Sequence, residues 1–154
     1  MLIEDKRGNQ LLELASVREA ELSSVAPLTH ALVVARRGDR CLLFNRHRLY
    51  WELAGGLIDP GETPRACAIR ELHEESGLDC TPEALSFVGA MKFLLQPSRF
   101  HPEPHVEYGA LYVTEVTELQ QFVPSDEISQ LCWWDGEASI GEISVIDQKL
   151  LELA

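Results

Sequence analysis

Apolar residues recur along this chain in short runs separated by turn chemistry, and the runs predict strands. Residues 10–17 read as a strand or short arm, residues 20–28 as a polar connector, and residues 31–35 and 41–44 as two apolar runs on either side of Arg37-Gly38-Asp39. Two such runs around a turn predict a hairpin. Residues 51–58 form a further apolar lead, and residues 87–95 and 106–116 are strand candidates. The stretch between those two, residues 96–105, carries Pro97, Pro102 and Pro104. Proline has no N–H to give to a ladder, so this stretch predicts a loop. The period changes to helical spacing at residues 64–76 and again at the end of the chain, where Ile143, Ile146, Leu150 and Leu153 mark an amphipathic helix over residues 142–153. Strands on both sides of one helix, with a second helix at the end, predict an α/β fold in which a mixed β-sheet lies between helical layers. Neither an internal repeat nor a low-complexity tract interrupts this order.

Residues 56–78 carry the densest local signals. Thr63 is suited to an N-cap, because its hydroxyl accepts from an otherwise unpaired amide of the first turn. Pro64 follows at the first helical position, where its missing N–H costs nothing. Gly77 stands where a left-handed residue ends a helix. The helix therefore runs from Pro64 to Glu75 or Ser76.

With about 100° per residue, Glu71, Glu74 and Glu75 fall within an arc of about 100°, while Ala68, Ile69 and Leu72 point to an adjacent apolar side that can pack on a sheet. Like charges three and four apart repel by tenths of a kcal/mol per pair. The macrodipole also disfavours anions in the C-terminal half of a helix. Local stability does not select such a ridge. A bound cation reverses the sign of the interaction, and hard oxygens suit Mg²⁺ or Mn²⁺.

The segment resembles the Nudix box, Gly-x5-Glu-x7-Arg-Glu-U-x-Glu-Glu-x-Gly-U with U aliphatic. It matches at every specified position: Gly56, Glu62, Arg70, Glu71, Leu72, Glu74, Glu75, Gly77 and Leu78. The flanks are similar too, with Trp51-Glu52-Leu53 leading in and an acidic loop ending at Trp133. The resemblance spans roughly Thr29 to the C-terminus and implies a Nudix-type α/β/α sandwich with a mixed β-sheet. One departure is Ala54, where many members carry proline before the glycines; the loop is expected to be less rigid there.

Composition fits a single domain over residues 1–154, with residues 1–28 as N-terminal arm and connector. No apolar run reaches the length of a membrane span, and the first residues lack the apolar core of a signal peptide. Cys41, Cys67, Cys80 and Cys132 form no Cys-x-x-Cys pair, so free thiols in a reducing cytoplasm are expected. The formal net charge of −12 argues against duplex nucleic acid as a partner. A small phosphorylated substrate is still compatible, because metal ions bring their own charge. Arg36, Arg37, Arg40, Arg46 and Arg48 form either a local basic rim or a solvated hairpin. The oligomeric state is open, a homodimer among the options.

The resemblance also implies a site. Glu71, Glu74 and Glu75 match the carboxylates that hold metals in the family, and Gly55 matches a backbone carbonyl used just before the box. Glu71 either ligates metal or orients and deprotonates the attacking water. Arg70 reads as a clamp with Glu62 as its partner, since a guanidinium holds a carboxylate by two parallel bonds. Some members place a glutamate six residues before a tryptophan that begins a late strand. Glu127 and Trp133 show that spacing, so Glu127 is the first candidate for an extra metal ligand or base, with Glu107 and Glu103 next. His101 and His105 lie near the expected mouth and are read as surface or structural histidines. Trp51, Phe93, Phe100 and Tyr108 either stack on a base or belong to the core.

The expected activity is that of a Mg²⁺-dependent hydrolase, Mn²⁺ being the alternative ion, that cleaves a phosphoanhydride bond of a small nucleoside diphosphate derivative. A nucleoside triphosphate and a nucleotide sugar such as ADP-ribose are both expected substrates. The alternative is a non-catalytic nucleotide-binding sensor of the same fold. An isopentenyl-diphosphate isomerase-like enzyme would need a cysteine and an acid placed for proton transfer, and no such pair is evident in the sequence.

Overall fold

A computed structural model describes residues 1–45, 50–126, 128 and 130–154. Of the residues named above, Arg46, Arg48 and Glu127 lie outside the described residues. In chain order the elements are β1 (Ile3–Glu4), β2 (Gln10–Ala15), a 3₁₀ turn at Glu19–Ser24, β3 (Leu28–Arg37), β4 (Arg40–Asn45), β5 (Tyr50–Glu52), β6 (Ala54–Leu57), α1 (Pro64–Ser76), a short 3₁₀ turn at Pro82–Ala84, β7 (Leu85–Leu95), β8 (His105–Glu115), β9 (Gln130–Trp134), β10 (Glu142–Ile143) and α2 (Val145–Leu153).

One mixed sheet takes in all of these strands in the order β1-β2-β7-β8-β3-β4-β5-β10, with β6 paired to β3 and β9 paired to β4. Strand β3 runs parallel to β8, and β10 parallel to β5; the other pairs are antiparallel. The expected hairpin is present, with Arg36 opposite Cys41 and Arg37 opposite Arg40.

Strand alternation divides the core in two. Ala31, Val33 and Ala35 of β3 point to one face, where Cys67, Ala68 and Leu72 of α1 pack on them. Val34 points to the other face, with Leu43, Met91, Phe93 and Leu111, and is covered by Leu150 and Leu151 of α2. A strand buried on both faces reads as a continuous apolar run, which is what residues 31–35 are. The result is a sheet between two helical layers, as expected. Trp51 and Phe93 are both in the α2-side core, so these two aromatics pack rather than present a stacking face.

Three boundaries differ from expectation. The connector before β3 contains the 3₁₀ turn Glu19–Ser24, and its Leu22 is buried against the α1-side core. The last helix begins at Val145, because Glu142–Ile143 pair with Tyr50 and Trp51 and Ser144 then caps the helix by accepting from the Asp147 amide. Strand β9 begins at Gln130, so Trp133 is inside a strand and does not begin it. Arg36 donates to the Leu151 carbonyl at 3.4 Å and Arg40 to the Trp133 carbonyl at 3.3 Å, so both tie the hairpin to its neighbours.

Candidate active site

Helix α1 forms as its punctuation predicts. The Thr63 hydroxyl accepts from the Ala66 amide at 3.1 Å, Pro64 occupies the first turn, and Gly77 closes the helix at φ 76° with its N–H on the His73 carbonyl. Strand β6 delivers the glycine pair to the side of this helix. Gly55 is paired with Leu32 and Gly56 with Ala31 of β3.

A side chain at either glycine would meet a neighbour, backbone in one case and a carboxylate in the other. Gly55 has φ 152°, and a Cβ there would run into the Ala31 carbonyl and the Leu32 side chain. A Cβ at Gly56 would run into the Glu71 carboxylate, whose Cδ would be 2.6 Å away. The close approach of backbone to carboxylate is thus a direct consequence of glycine's missing side chain.

The three ridge carboxylates sit at different depths. Glu74 is exposed, Glu71 is mostly covered, and Glu75 is buried at 2% exposure. The Gly55 N–H donates to Glu75 Oε1 at 2.8 Å. The ridge is therefore no solvated face: its deepest member reaches across to the edge of β6.

Arg70 gathers the rest of the segment. Its Nε donates to Glu62 Oε2 at 2.7 Å and a terminal nitrogen donates to Glu62 Oε1 at 2.9 Å, which is the two-pronged clamp expected from the sequence. The other terminal nitrogen donates to Glu71 Oε1 at 3.0 Å and Glu74 Oε2 at 3.2 Å. The Leu57 carbonyl accepts from Arg70 as well, at 3.1 Å, and Asp59 lies 3.4 Å away. Glu62 in turn accepts from the Asp59 amide at 3.0 Å, so the loop is closed on itself. The hydrogen bond from Arg70, followed by that from the Asp59 backbone, holds the Glu62 carboxyl down at about 2. The same bond to Glu62 raises Arg70 further above its already high value.

Cys67 lies under this loop, with its thiol toward the Leu57 carbonyl at 3.4 Å. Burial first, and the charge of Glu62 second, push the thiol up to about 12. Cys67 is buried, so its thiol packs beneath the loop instead of facing solvent.

The donors offered here are carboxylate and backbone oxygens, three of the carboxylates on one helix and two of those covered from water. That set fits a hard divalent cation. The runners-up are elsewhere. Glu107 is opposite Phe93 in the β7–β8 ladder and so shares the α2-side face of the sheet, away from α1. Glu103 is exposed in the loop before β8. His101 and His105, expected to be surface or structural histidines, stack their rings with centroids 4.1 Å apart and both approach Glu107.

A second group escaped the sequence altogether. Arg65 of α1 grips Glu19 of the first 3₁₀ turn at 3.1 and 2.6 Å, and the Tyr112 hydroxyl donates to the same carboxylate at 2.8 Å. Arg65 also donates to the Pro82 carbonyl at 2.6 Å and to that of Leu85. The participants are spread over residues 19–112, so no local pattern announces them.

A "CMP-5'-(N-acetyl-N-hydroxy-3-aminopropyl)phosphonate hydrolase" of Streptomyces rubellomurinus is 35% identical over 120 residues, covering 69% of this chain and 55% of that protein. A Bacillus subtilis protein with the provisional name 8-oxo-dGTP diphosphatase is 31% identical over 103 residues, covering 66% of this chain and 62% of its own length. The chain thus spans less than two thirds of either relative. A pyrophosphohydrolase crystal structure from Bacillus subtilis superposes with a TM-score of 0.71 at 20% identity, covering 97% of this chain and 95% of that one, which is a likeness of fold. Residues 26–152 match the family described as NUDIX domain, and with the complete box on α1 and its loop, the chain belongs to the Nudix family.

Proposed function

We propose that this chain is a Mg²⁺-dependent hydrolase that cleaves a phosphoanhydride bond in a nucleoside diphosphate derivative. The observation that carries the reading is the Arg70–Glu62 clamp, which fixes the loop against α1 with Glu71, Glu74 and Glu75 gathered beside Gly55 and Gly56. Glu71, Glu74, Glu75 and the Gly55 carbonyl would hold the cation, with Glu127 as the further candidate. The cation, Mg²⁺ or Mn²⁺, would neutralise phosphate oxygens and acidify water. What the chain itself supplies is order. Arg70 holds Glu71 and Glu74 by one nitrogen, so both carboxylates are aimed before substrate arrives. Glu71, mostly covered from water and beside Gly56, would either join that ligand set or accept a proton from an attacking water.

The two relatives bear names of enzymes acting on nucleotides, which favours a small nucleotide as substrate here. A nucleoside triphosphate and a nucleotide sugar such as ADP-ribose both fit that class. No helix is long and apolar enough to cross a membrane. We take the chain to act as one domain in the cytoplasm.

The test is a panel of normal and oxidised nucleoside triphosphates, dinucleoside polyphosphates and ADP-ribose, assayed with Mg²⁺ and then Mn²⁺, with products identified by mass. Release of a nucleoside monophosphate, lost on Glu74→Gln, is the expected result. Tight binding of a nucleotide with no turnover of any would replace this reading by the sensor reading. If Glu127→Gln behaves as the parent protein does, Glu127 leaves the ligand set.

A further inference from the structure

We propose that His101, His105 and Glu107 form a binding site for a borderline divalent metal of the zinc class, separate from the carboxylate ridge. One ligand atom from each lies within 4.8 Å of the others. Glu107 is opposite Phe93 and His105 opposite Leu95, and both of those partners pack in the α2-side core. The group therefore sits on the face of the sheet opposite α1.

The second observation is the state of His105. Its Nδ1 lies 3.1 Å from the Glu103 carbonyl and so carries the proton it donates there. In the neutral ring Nε2 is then the nitrogen that can ligate. Nε2 is buried, makes no hydrogen bond, and lies 3.7 Å from Glu107 Oε1. Nε2 and the Glu107 carboxylate face each other at a separation that one ion held by both can bridge. An imidazole whose other nitrogen donates to a backbone carbonyl is also the arrangement found for metal-binding histidines. His101 stacks on His105 with centroids 4.1 Å apart and is exposed, so its ring is free to turn toward the same point. In a tetrahedral zinc site with Zn–N bonds of about 2.1 Å, neighbouring ligand atoms lie about 3.4 Å apart. A movement of the exposed His101 ring inward by about 1 Å or more completes the site. Two imidazoles and one carboxylate suit zinc and its neighbours, where the all-oxygen ridge suits Mg²⁺. Bound there, the ion would pin the loop at residues 96–104 to the start of β8.

The test uses the full chain stripped with a chelator. Co²⁺ is titrated in the presence of excess Mg²⁺ while its visible ligand-field bands are followed, and Zn²⁺ is titrated by calorimetry. One equivalent should bind to the parent protein and equally to Glu74→Gln, with the melting temperature rising on binding. His105→Ala should abolish that equivalent, and His101→Ala should weaken it by at least about tenfold. Imidazole ¹⁵N spectra of the parent protein give a reading independent of any variant: Zn²⁺ should shift His105 Nε2 and leave Nδ1 protonated. Unmoved His101 and His105 resonances, or binding lost on Glu74→Gln and kept on His105→Ala, would overturn the site.

Discussion

Arg70 holds Glu62 by two parallel N–H···O bonds of 2.7 and 2.9 Å, and the two residues belong to different local structures, one a helix and one the loop that precedes it. The bond pair is what turns a helix with acidic residues into a fixed site, because the same guanidinium also orders Glu71 and Glu74. Arg70→Ala should therefore lower turnover by about 10²-fold or more and destabilise the protein by about 1–3 kcal/mol. Arg70→Lys keeps the charge but not the fork, so it should recover part of the stability and little of the turnover. Thermal melts alongside kcat for the three proteins check both statements. A lysine variant as active as the parent would mean that charge alone suffices.

The clamp also makes a pH prediction. Glu62 titrates at about 2 in the folded chain against an ordinary value of 4.5. A carboxyl whose folded value is depressed favours the folded state fully above its unfolded value and loses that contribution as the pH falls toward the folded one. Stability attributable to Glu62 should thus be intact above pH 4.5 and decline between pH 4.5 and 2. Glu62→Gln should show a shallower fall over that window than the parent protein. Parallel melting curves for the two proteins down to pH 2 would contradict the assignment.

Much of this was legible in the sequence because it is local. Thr63, Pro64 and Gly77 lie within a few residues of the helix ends they set, and the Arg70–Glu62 pair spans a loop and two helical turns. Depth was not legible. Glu74 and Glu75 are neighbours in sequence on the same arc, yet one is exposed and the other is buried against the Gly55 amide. That difference depends on where β6 is carried by its pairing with β3, and a pairing between residues 54–57 and 30–33 leaves no periodic mark. The position of β9 was missed for the same reason: its partner is β4, far earlier in the chain.

Depth makes the ridge positions separable by mutation. Glu74→Gln should reduce turnover by about 10²-fold or more with a melting temperature within about 1 °C of the parent, as expected for an exposed position. Glu75→Ala removes the acceptor of a buried amide and should cost about 1–3 kcal/mol besides. Glu75→Gln keeps an oxygen for Gly55 and should recover most of that stability without the activity. Equal melting temperatures for Glu75→Ala and Glu74→Gln would show that the Gly55 contact carries no weight.

Gly56 and Gly55 should fail in different ways. Alanine at Gly56 meets the Glu71 carboxylate, the end of a flexible side chain, so the protein should fold near normally while Glu71 is displaced and turnover falls. Alanine at Gly55 meets the Ala31 backbone and adopts φ 152°, so strand β6 itself has to shift. A cost of about 1–3 kcal/mol is expected there, or about 2–4 °C per kcal/mol in a chain of this size. Melting curves and activity measured on both variants distinguish a displaced side chain from a displaced strand.

The Arg65–Glu19–Tyr112 group supplies a contrasting case, since it ties α1 to the first 3₁₀ turn and to β8 without touching the ridge. Glu19 is held below the usual carboxylate range first by its hydrogen bond from Arg65, and Tyr112 is raised by burial and by the Glu19 charge. Glu19→Gln leaves the partly buried Arg65 and the fully buried Tyr112 with a neutral partner, and stability should fall by about 1–3 kcal/mol. Because Arg65 is on the same helix as Glu71, Glu74 and Glu75, a loss of helix position would show as a loss of turnover. The cap at Thr63, the Arg70 clamp and the packing of Cys67, Ala68 and Leu72 hold that helix independently. The expected result is therefore a lower melting temperature with kcat within about twofold of the parent when assayed well below the transition. A fall in kcat matching that of Arg70→Ala would show that α1 is positioned from the 3₁₀ turn as much as from its own loop.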